Sequence, residues 1–269
     1  MQKGCGSKTP NIPTKNTIET NLNPRHTFDN FIVDENNRFA AGIAQTVAQA
    51  PGNSFSPLFI YGEYGVGKTH LLHAIGLYIM EHFPELRVLY VSAETFTEDF
   101  ISAFFNKGII KENKMKAFRG MYQNADVLLI NDIQFIGNKG KTVEEVINTF
   151  EALYNSGKQM VFASDRQPKD LFGIDERLRR RLGMGLIVDL KKPSYETMVA
   201  ILKNEATLDS VQENDGLSEA ISFMAEHINN NVLDLKSAFY RVVFYSKLTD
   251  KPVTKALAEE VLKDVMNMT

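Results

Sequence analysis

The stretch that most constrains this chain is residues 62–69, which read GEYGVGKT and fit the pattern G-x-x-x-x-G-K-T. An apolar run at 58–61 precedes it and a helical pattern follows, so it predicts a tight strand-to-helix turn. Its glycines let backbone N–H groups curl around phosphate oxygens, and the helix N-terminus adds partial positive charge. The Lys68 ammonium can reach terminal phosphates and the Thr69 hydroxyl can ligate Mg²⁺. The predicted ligand is therefore ATP or ADP with Mg²⁺, and the candidate contacts within this stretch are Gly62, Gly65, Val66, Gly67, Lys68 and Thr69.

Five short, nearly continuous apolar runs alternate with helical patterns before residue 190. The runs lie at 58–61, 87–92, 126–130, 159–164 and 186–190. Such runs are typical of strands covered on both faces. Since helical patterns at 68–80 and 142–154 separate them, the sequence predicts an α/β fold with a parallel five-stranded sheet flanked by helices.

The pattern changes after Pro193, where four amphipathic stretches follow one another at 194–207, 217–228, 232–244 and 254–265. They predict a small all-α subdomain. The first 25 residues are rich in Pro, Asn, Thr and Lys and carry no apolar period. We therefore expect a flexible leader at 1–25, an α/β core at 26–192 and a helical lid at 193–269.

Composition excludes several classes of protein. The 30 Lys and Arg against 33 Asp and Glu give a net charge of −3, which rules out a globally basic nucleic-acid coat. Cys5 is the single cysteine, so a disulfide framework and a thiolate zinc cluster are excluded. Neither a secretory signal nor an apolar run of membrane-spanning length occurs, and we expect a cytoplasmic protein.

Polar residues at two strand ends are candidates for metal and water chemistry. Asn131 and Asp132 follow the run at 126–130, and Asp165 follows the run at 159–164. The carboxyl ends of parallel strands gather where ligands bind. Asp132 is a candidate Mg²⁺ ligand and water-orienting residue, and Asp165 could sense the γ-phosphate. Asp132 could also be a loop or cap residue, and Asp165 could also be a helix cap.

Two basic segments remain open to two interpretations. Arg177 and Arg181 are four residues apart, on one face of a helix, and suit a phosphate held by a neighbouring subunit. Residues 107–119 carry five basic side chains and could follow a nucleic-acid backbone. Each segment could also be a solvated basic helix.

From residue 22 to about 264 the chain resembles the AAA+ module of the bacterial replication initiator DnaA. The resemblance is carried by LNPRHTFDNFIV at 22–33, the loop segment at 57–76, FRGMYQNADVLLINDIQFIGNK at 118–139, FASDRQPKDL at 162–171 and DERLRRRLGMGLIVDLKKPSYET at 175–197. It implies a P-loop NTPase fold of AAA+ type.

The resemblance also implies roles for individual residues. Ile32 and Val33 would line the adenine pocket, His70 would belong to the nucleotide site, and Asp165 would sense water and the γ-phosphate. Arg181 would be the arginine finger that reaches the ATP of a neighbouring copy or of full-length DnaA, with Arg177 beside it. The helices at 94–123 would match the insertion that shapes an ATP filament and lines a single-stranded DNA channel, which Ile101 and Lys141 would contact.

Three departures from the family pattern stand out. Asn131 occupies the place of a metal-side Asp, which should weaken Mg²⁺ binding. Leu233 occupies the place of the lid arginine that contacts ATP, and Ser102 the place of a basic DNA contact. The sequence also stops at Thr269, before the helix-turn-helix domain of the family. We therefore expect an ATP- or ADP-binding module with weak or absent hydrolysis.

Two alternatives stay open. The chain could be a regulatory adaptor that docks on the initiator or, like a helicase loader, on the replicative helicase. It could also be a fragment of a longer initiator.

Overall fold

A computed structural model describes residues 21–53, 55–105, 107–228 and 231–266. Its centre is a sheet of five strands: β1 (Leu58–Tyr61), β2 (Val88–Ser92), β3 (Val127–Asn131), β4 (Gln159–Ser164) and β5 (Leu186–Asp189). The strands are ordered β2-β3-β4-β1-β5, and every neighbouring pair is parallel. The predicted α/β fold with a parallel five-stranded sheet is confirmed.

Helices cover both faces of this sheet: α1 (Arg38–Gln49), α2 (Lys68–His82), α3 (Ala93–Phe104), α4 (Gly108–Tyr122), α5 (Gly140–Asn155) and α6 (Glu176–Leu182). Successive strand residues point to opposite faces. Leu58 and Ile60 therefore join the apolar cluster that includes α1 and α2, whereas Phe59 joins the one that includes α3 and α5. Because each face of the sheet is covered by its own apolar core, residues on both faces of each strand are apolar, which gives the nearly continuous apolar runs in the sequence.

The register brings three loops to one edge of the sheet. Tyr61 is level with Ser164 and with Asp189, and Ser92 is level with Asn131. The loops that leave β1, β3 and β4 therefore start side by side. The strand predicted at 126–130 is shifted by one residue, because Asn131 is a buried member of β3 and not the first residue after it.

Four helices follow the sheet: α7 (Tyr195–Leu208), α8 (Asp215–His227), α9 (Val232–Thr249) and α10 (Lys255–Met266). They bury their own apolar cluster, which includes Leu202, Met224 and Phe239. Side chains cap the starts of α7, α8 and α9, where Ser194, Asn214 and Asn231 accept backbone N–H bonds. In the part of the chain that the structure describes, none of the helices combines the length and apolar character that a membrane crossing needs.

The N-terminal segment packs on α2 from its first described residues. Most of the predicted leader, residues 1–20, lies outside the described residues. Leu22 is buried beside Gly76, where a Cβ would lie 2.9 Å from a Leu22 methyl carbon. The backbone N–H of Asn23 donates to His73 Nδ1 over 2.7 Å. Residues 22–25 thus belong with the core, because α2 offers them an apolar slot and a buried acceptor.

A contact among three histidines fixes this segment. The His26 ring stacks on His70 at 4.7 Å and meets the edge of His73 at 5.2 Å. Burial and the neighbouring His26 lower the pKa of His73 to about 4. Protonation of His73 Nδ1 would also remove the acceptor that holds Asn23.

Acidification should therefore loosen the fold through His73. The pKa of His73 in the folded state lies below its ordinary value. The contribution of neutral His73 to the free energy of unfolding is therefore complete above pH 6.5 and is lost as the pH falls towards 4. In His73→Gln, the decline in the free energy of unfolding over this range should be shallower by up to about 1.4 kcal/mol per pH unit. Urea unfolding at several pH values measures it. The exposed His82→Gln on the same helix is the control, and parallel pH profiles for wild type and His73→Gln would contradict the prediction.

Candidate nucleotide-binding site

The loop between β1 and α2 is shaped by glycines. Gly65 (φ 73°) and Gly67 (φ 111°) adopt left-handed conformations, and Gly67 caps the N-terminus of α2. Gly62 has a different constraint, because a Cβ there would lie 2.1 Å from the Leu190 carbonyl oxygen. The loop is therefore pressed against the chain that leaves β5, and the first amides of α2 open towards the edge where β3 and β4 end.

Lys68 folds back over this loop. Its Nζ donates to the carbonyl oxygens of Gly62 and Glu63, each over 2.7 Å, which leaves one of its three N–H groups for another acceptor. Burial lowers the pKa of Lys68, while the charges of Asp132 and Asp165 oppose that shift. The structure thus brings together the loop lysine and the two predicted strand-end carboxylates.

Asn131 and Thr69 meet beside the lysine. Asn131 Nδ2 donates to Thr69 Oγ1 over 3.0 Å, and among the described residues its buried Oδ1 has no hydrogen-bond partner. Turning the amide by half a turn would present that oxygen beside the Thr69 hydroxyl. Asp132 follows with φ 56° and accepts a bond from Gln134 Nε2. A hydroxyl, an amide oxygen and a carboxylate are oxygen donors that suit Mg²⁺, which retains several of its waters in proteins.

Of these three groups only the Asp132 carboxylate offers a metal ion a negative charge. The described residues contain no group of three or more His, Cys, Asp or Glu that could hold a metal ion by themselves. The arrangement therefore fits a cation that is bound mainly through phosphate oxygens and only secondarily through the protein.

Asp165 is held by its neighbour Arg166, a partner that the sequence analysis did not single out. Arg166 Nε and Nη2 donate to the two carboxylate oxygens over 2.8 and 2.6 Å. This bond pair, ahead of the charge of Lys68, holds the pKa of Asp165 below its ordinary value. The carboxylate is thereby oriented and ionised, and the Arg166 guanidinium lies 5.7 Å from the Phe172 ring.

A narrow cleft lies on the other side of the loop. It is lined by Ile32, Val66, Gly67 and His70 from the core and by Val232 and Lys236 from α9, among others. Burial lowers the pKa of His70 to about 3, and its Nε2 bonds to the Thr27 carbonyl. Of the two residues predicted for an adenine pocket, Ile32 lines this cleft, whereas Val33 is 48% exposed and is not part of its lining.

The helical part contacts the loop directly. The backbone N–H of Val232 donates to the Gly65 carbonyl over 3.0 Å, and a Cβ on Gly65 would lie 2.6 Å from Asn231 Oδ1. Leu233, the next residue, is 46% exposed. The start of α9 therefore closes the loop through the Val232 backbone and the Asn231 side chain, while Leu233 offers no polar group.

Arg181 and Arg177 lie on α6, away from this loop. Arg181 donates to the Glu151 carboxylate and, over 3.1 Å, to the Arg177 carbonyl, while Arg177 pairs with Asp175. The helix α6 leads into the amino end of β5, whereas the loop follows the carboxyl end of β1. Arg181 is thus placed away from the loop at 62–69 of its own chain.

Of the two predicted DNA-contact residues, Lys141 lines a groove between α4 and α5, whereas Ile101 is not part of its lining. The ammonium groups of Lys111 and Lys141 lie 3.9 and 4.5 Å from the centre of the Phe104 ring, and Ile101 on α3 is 45% exposed. Arg119 forms two bonds with the Glu145 carboxylate. One charge of the basic segment at 107–119 is therefore already paired.

The chain is similar to a known protein family and to solved structures of that family. A family model described as the bacterial DnaA ATPase domain matches residues 22–189. Domain III of the Thermotoga maritima replication initiation protein DnaA is 39% identical, with a TM-score of 0.84 over 91% of this chain and 98% of that one.

Two solved structures with bound molecules are also similar. AMPPCP-bound DnaA from Aquifex aeolicus is 32% identical, with a TM-score of 0.72 over 84% of this chain and 66% of that one. The replication initiator DnaA bound to AMPPCP and single-stranded DNA is 33% identical, with a TM-score of 0.70 over 81% of this chain and 65% of that one.

The loop geometry predicts a sharp cost for a methyl group at Gly62. Gly62→Ala should lower the free energy of unfolding by about 2 kcal/mol or more, because the Leu190 carbonyl cannot withdraw without disturbing β5. Gly42→Ala is the matched control. Position 42 lies inside α1 with open space around it, so alanine there should stabilise by about 0.5–1 kcal/mol. Chemical denaturation measures both, and equal stabilities for Gly62→Ala and wild type would contradict the described loop.

Proposed function

The chain belongs to the family of bacterial DnaA ATPase domains, and from that premise we propose that it is a replication-initiator module that binds ATP or ADP with Mg²⁺ and turns ATP over slowly or not at all. The observation that carries the proposal is the loop at 62–69, whose lysine folds back over the loop and is acted on by the charges of Asp132 and Asp165. Similar DnaA structures with bound AMPPCP support the same ligand class.

Different residues of the site would bind different parts of the nucleotide. The backbone N–H groups that follow Gly65 would donate hydrogen bonds to phosphate oxygens at the start of α2, and the free N–H of Lys68 would donate to the terminal phosphates. Thr69, Asn131 and Asp132 would hold Mg²⁺, which would neutralise phosphate charge. Asp165, ionised and oriented by Arg166, would accept a hydrogen bond from a water near the γ-phosphate.

Slow turnover follows from what two positions lack. Asn131 gives the metal side a neutral amide where a carboxylate would add a full charge. Leu233 gives the lid no donor for the phosphates. Each missing charge-assisted contact is worth about 1.5–3 kcal/mol.

Assembly with other copies, or with full-length DnaA, would run through Arg181. Its placement on α6, away from its own loop, suits a contact with the nucleotide of a neighbour. The Glu151 carboxylate holds the guanidinium meanwhile, so assembly would exchange one anion for another. The groove flanked by Lys111 and Lys141 is the surface that we propose for single-stranded DNA, as the DNA-bound DnaA structure suggests. The described residues supply no feature that argues for a contact with the replicative helicase, so that contact forms no part of the proposal.

Nucleotide binding should be visible as a thermal shift that depends on Lys68. A ligand at one hundred times its Kd stabilises a protein by about 2.7 kcal/mol, so ATP and ADP with Mg²⁺ should both raise the Tm of the wild type. Lys68→Met should abolish most of the shift. The exposed Lys263→Met should leave it unchanged. An absence of any nucleotide-dependent shift in the wild type would contradict the proposal.

Turnover should rise when the missing charge is restored. Asn131→Asp places a carboxylate beside Thr69 and should raise the Mg²⁺-dependent rate of ATP hydrolysis about tenfold or more. Release of inorganic phosphate measures the rate. If the wild type hydrolyses ATP as fast as Asn131→Asp does, the neutral amide is not what slows the chain.

A further inference from the structure

The cleft beside the loop contains a buried ion pair that none of the roles above uses. Lys236 on α9 donates to the Glu205 carboxylate on α7, and the Tyr240 hydroxyl donates to the same carboxylate. Glu205 is only 6% exposed. Both Glu205 and Lys236 line the cleft together with Val66, Gly67 and His70. A charged side chain of the lid thus lies next to the first turn of α2.

The ammonium of Lys236 and that of Lys68 lie at different ends of the site. The charges that act on Lys68 are those of Asp132 and Asp165, at the ends of β3 and β4. Lys236 acts on His26 and His70 instead, where its positive charge adds to burial in lowering the pKa of each. Lys236 lines the cleft together with His70, the residue that follows the loop. Lys68 is instead acted on by the carboxylates expected around the terminal phosphates.

Lys236 also keeps donors available. An ammonium has three N–H groups, and the described contacts of Lys236 use one of them on Glu205. Its side chain is 23% exposed and belongs to the lining of the cleft. Glu205 compensates the charge, which allows a lysine to remain at this depth. Leu233, one turn earlier on α9, has no donor to offer.

We propose that Lys236 is the lid residue that contacts the nucleotide, and that it binds the oxygens nearest the nucleoside, those of the ribose and the α-phosphate. The assignment rests on the proposed function, since it requires a nucleotide in the loop. ATP and ADP share these oxygens. The lid of this chain would thus strengthen the binding of both nucleotides equally and would not distinguish them.

The test compares two variants that differ only in the lysine. Lys236→Met alone would leave Glu205 buried and unpaired, so Glu205→Gln serves as the background for both arms. Isothermal titration with Mg²⁺ then measures ATP and ADP binding to Glu205→Gln and to Glu205→Gln/Lys236→Met. The double variant should bind each nucleotide about tenfold or more weakly than Glu205→Gln, by the same factor for both.

Three controls make the result decisive. Lys247→Met, an exposed lysine on the same helix, should leave both affinities unchanged. Lys236→Arg retains the charge and should retain binding to within about threefold. If the double variant does not fold, Lys236→Gln in the wild-type background takes its place and should weaken ATP and ADP binding by the same factor. Melting without nucleotide shows whether each variant is folded.

The outcomes separate this inference from the proposed function. Equal binding by Glu205→Gln and the double variant would overturn it and would leave the ion pair as a link between α7 and α9. A loss confined to ATP would also overturn it, because Lys236 would then face the terminal phosphates. If the wild type binds neither nucleotide, the proposed function itself fails and this inference fails with it.

Discussion

The close packing of one loop against three other segments is the constraint on which the rest of the structure depends. The loop at 62–69 lies between the carboxyl end of β1 and the start of α2. The Leu190 carbonyl lies against Gly62, the Phe31 ring against Gly67, and Asn231 and Val232 against Gly65. Because these neighbours come from the end of β5, the N-terminal segment and the lid, the loop couples these three segments to one another.

Charge is arranged around this loop in two groups. Lys68 with Asp132 and Asp165 forms one group, at the ends of the central strands, and Lys236 with Glu205 forms the other, at the lid. The first group resembles what phosphate chemistry requires, apart from the neutral Asn131. The second group lies beside the half-buried His26 and His70. On the proposed function, this arrangement would favour holding a polyanion over cleaving it.

The sequence predicted the sheet and the loop well because their signals are local. An apolar run followed by G-x-x-x-x-G-K-T specifies both a strand and a helix start, and four amphipathic periods specified α7 to α10. It missed Arg166 as the partner of Asp165, and it missed the pair between Glu205 and Lys236. Whether these charged side chains pair depends on how the chain packs around them, and no spacing in a single sequence predicts that packing. Leu22 was assigned to a leader for the same reason, since its slot is created by the absent side chain of Gly76.

The central claim is that backbone amides of the loop enclose the polyphosphate, and a crystal structure of this chain with AMPPCP and Mg²⁺ tests it most directly. The account predicts phosphate oxygens on the amides that follow Gly65, with Lys68 Nζ bonded to the terminal phosphates. A structure in which the nucleotide binds elsewhere, or in which Lys68 keeps both bonds to Gly62 and Glu63 and leaves the phosphates without a lysine contact, would contradict it.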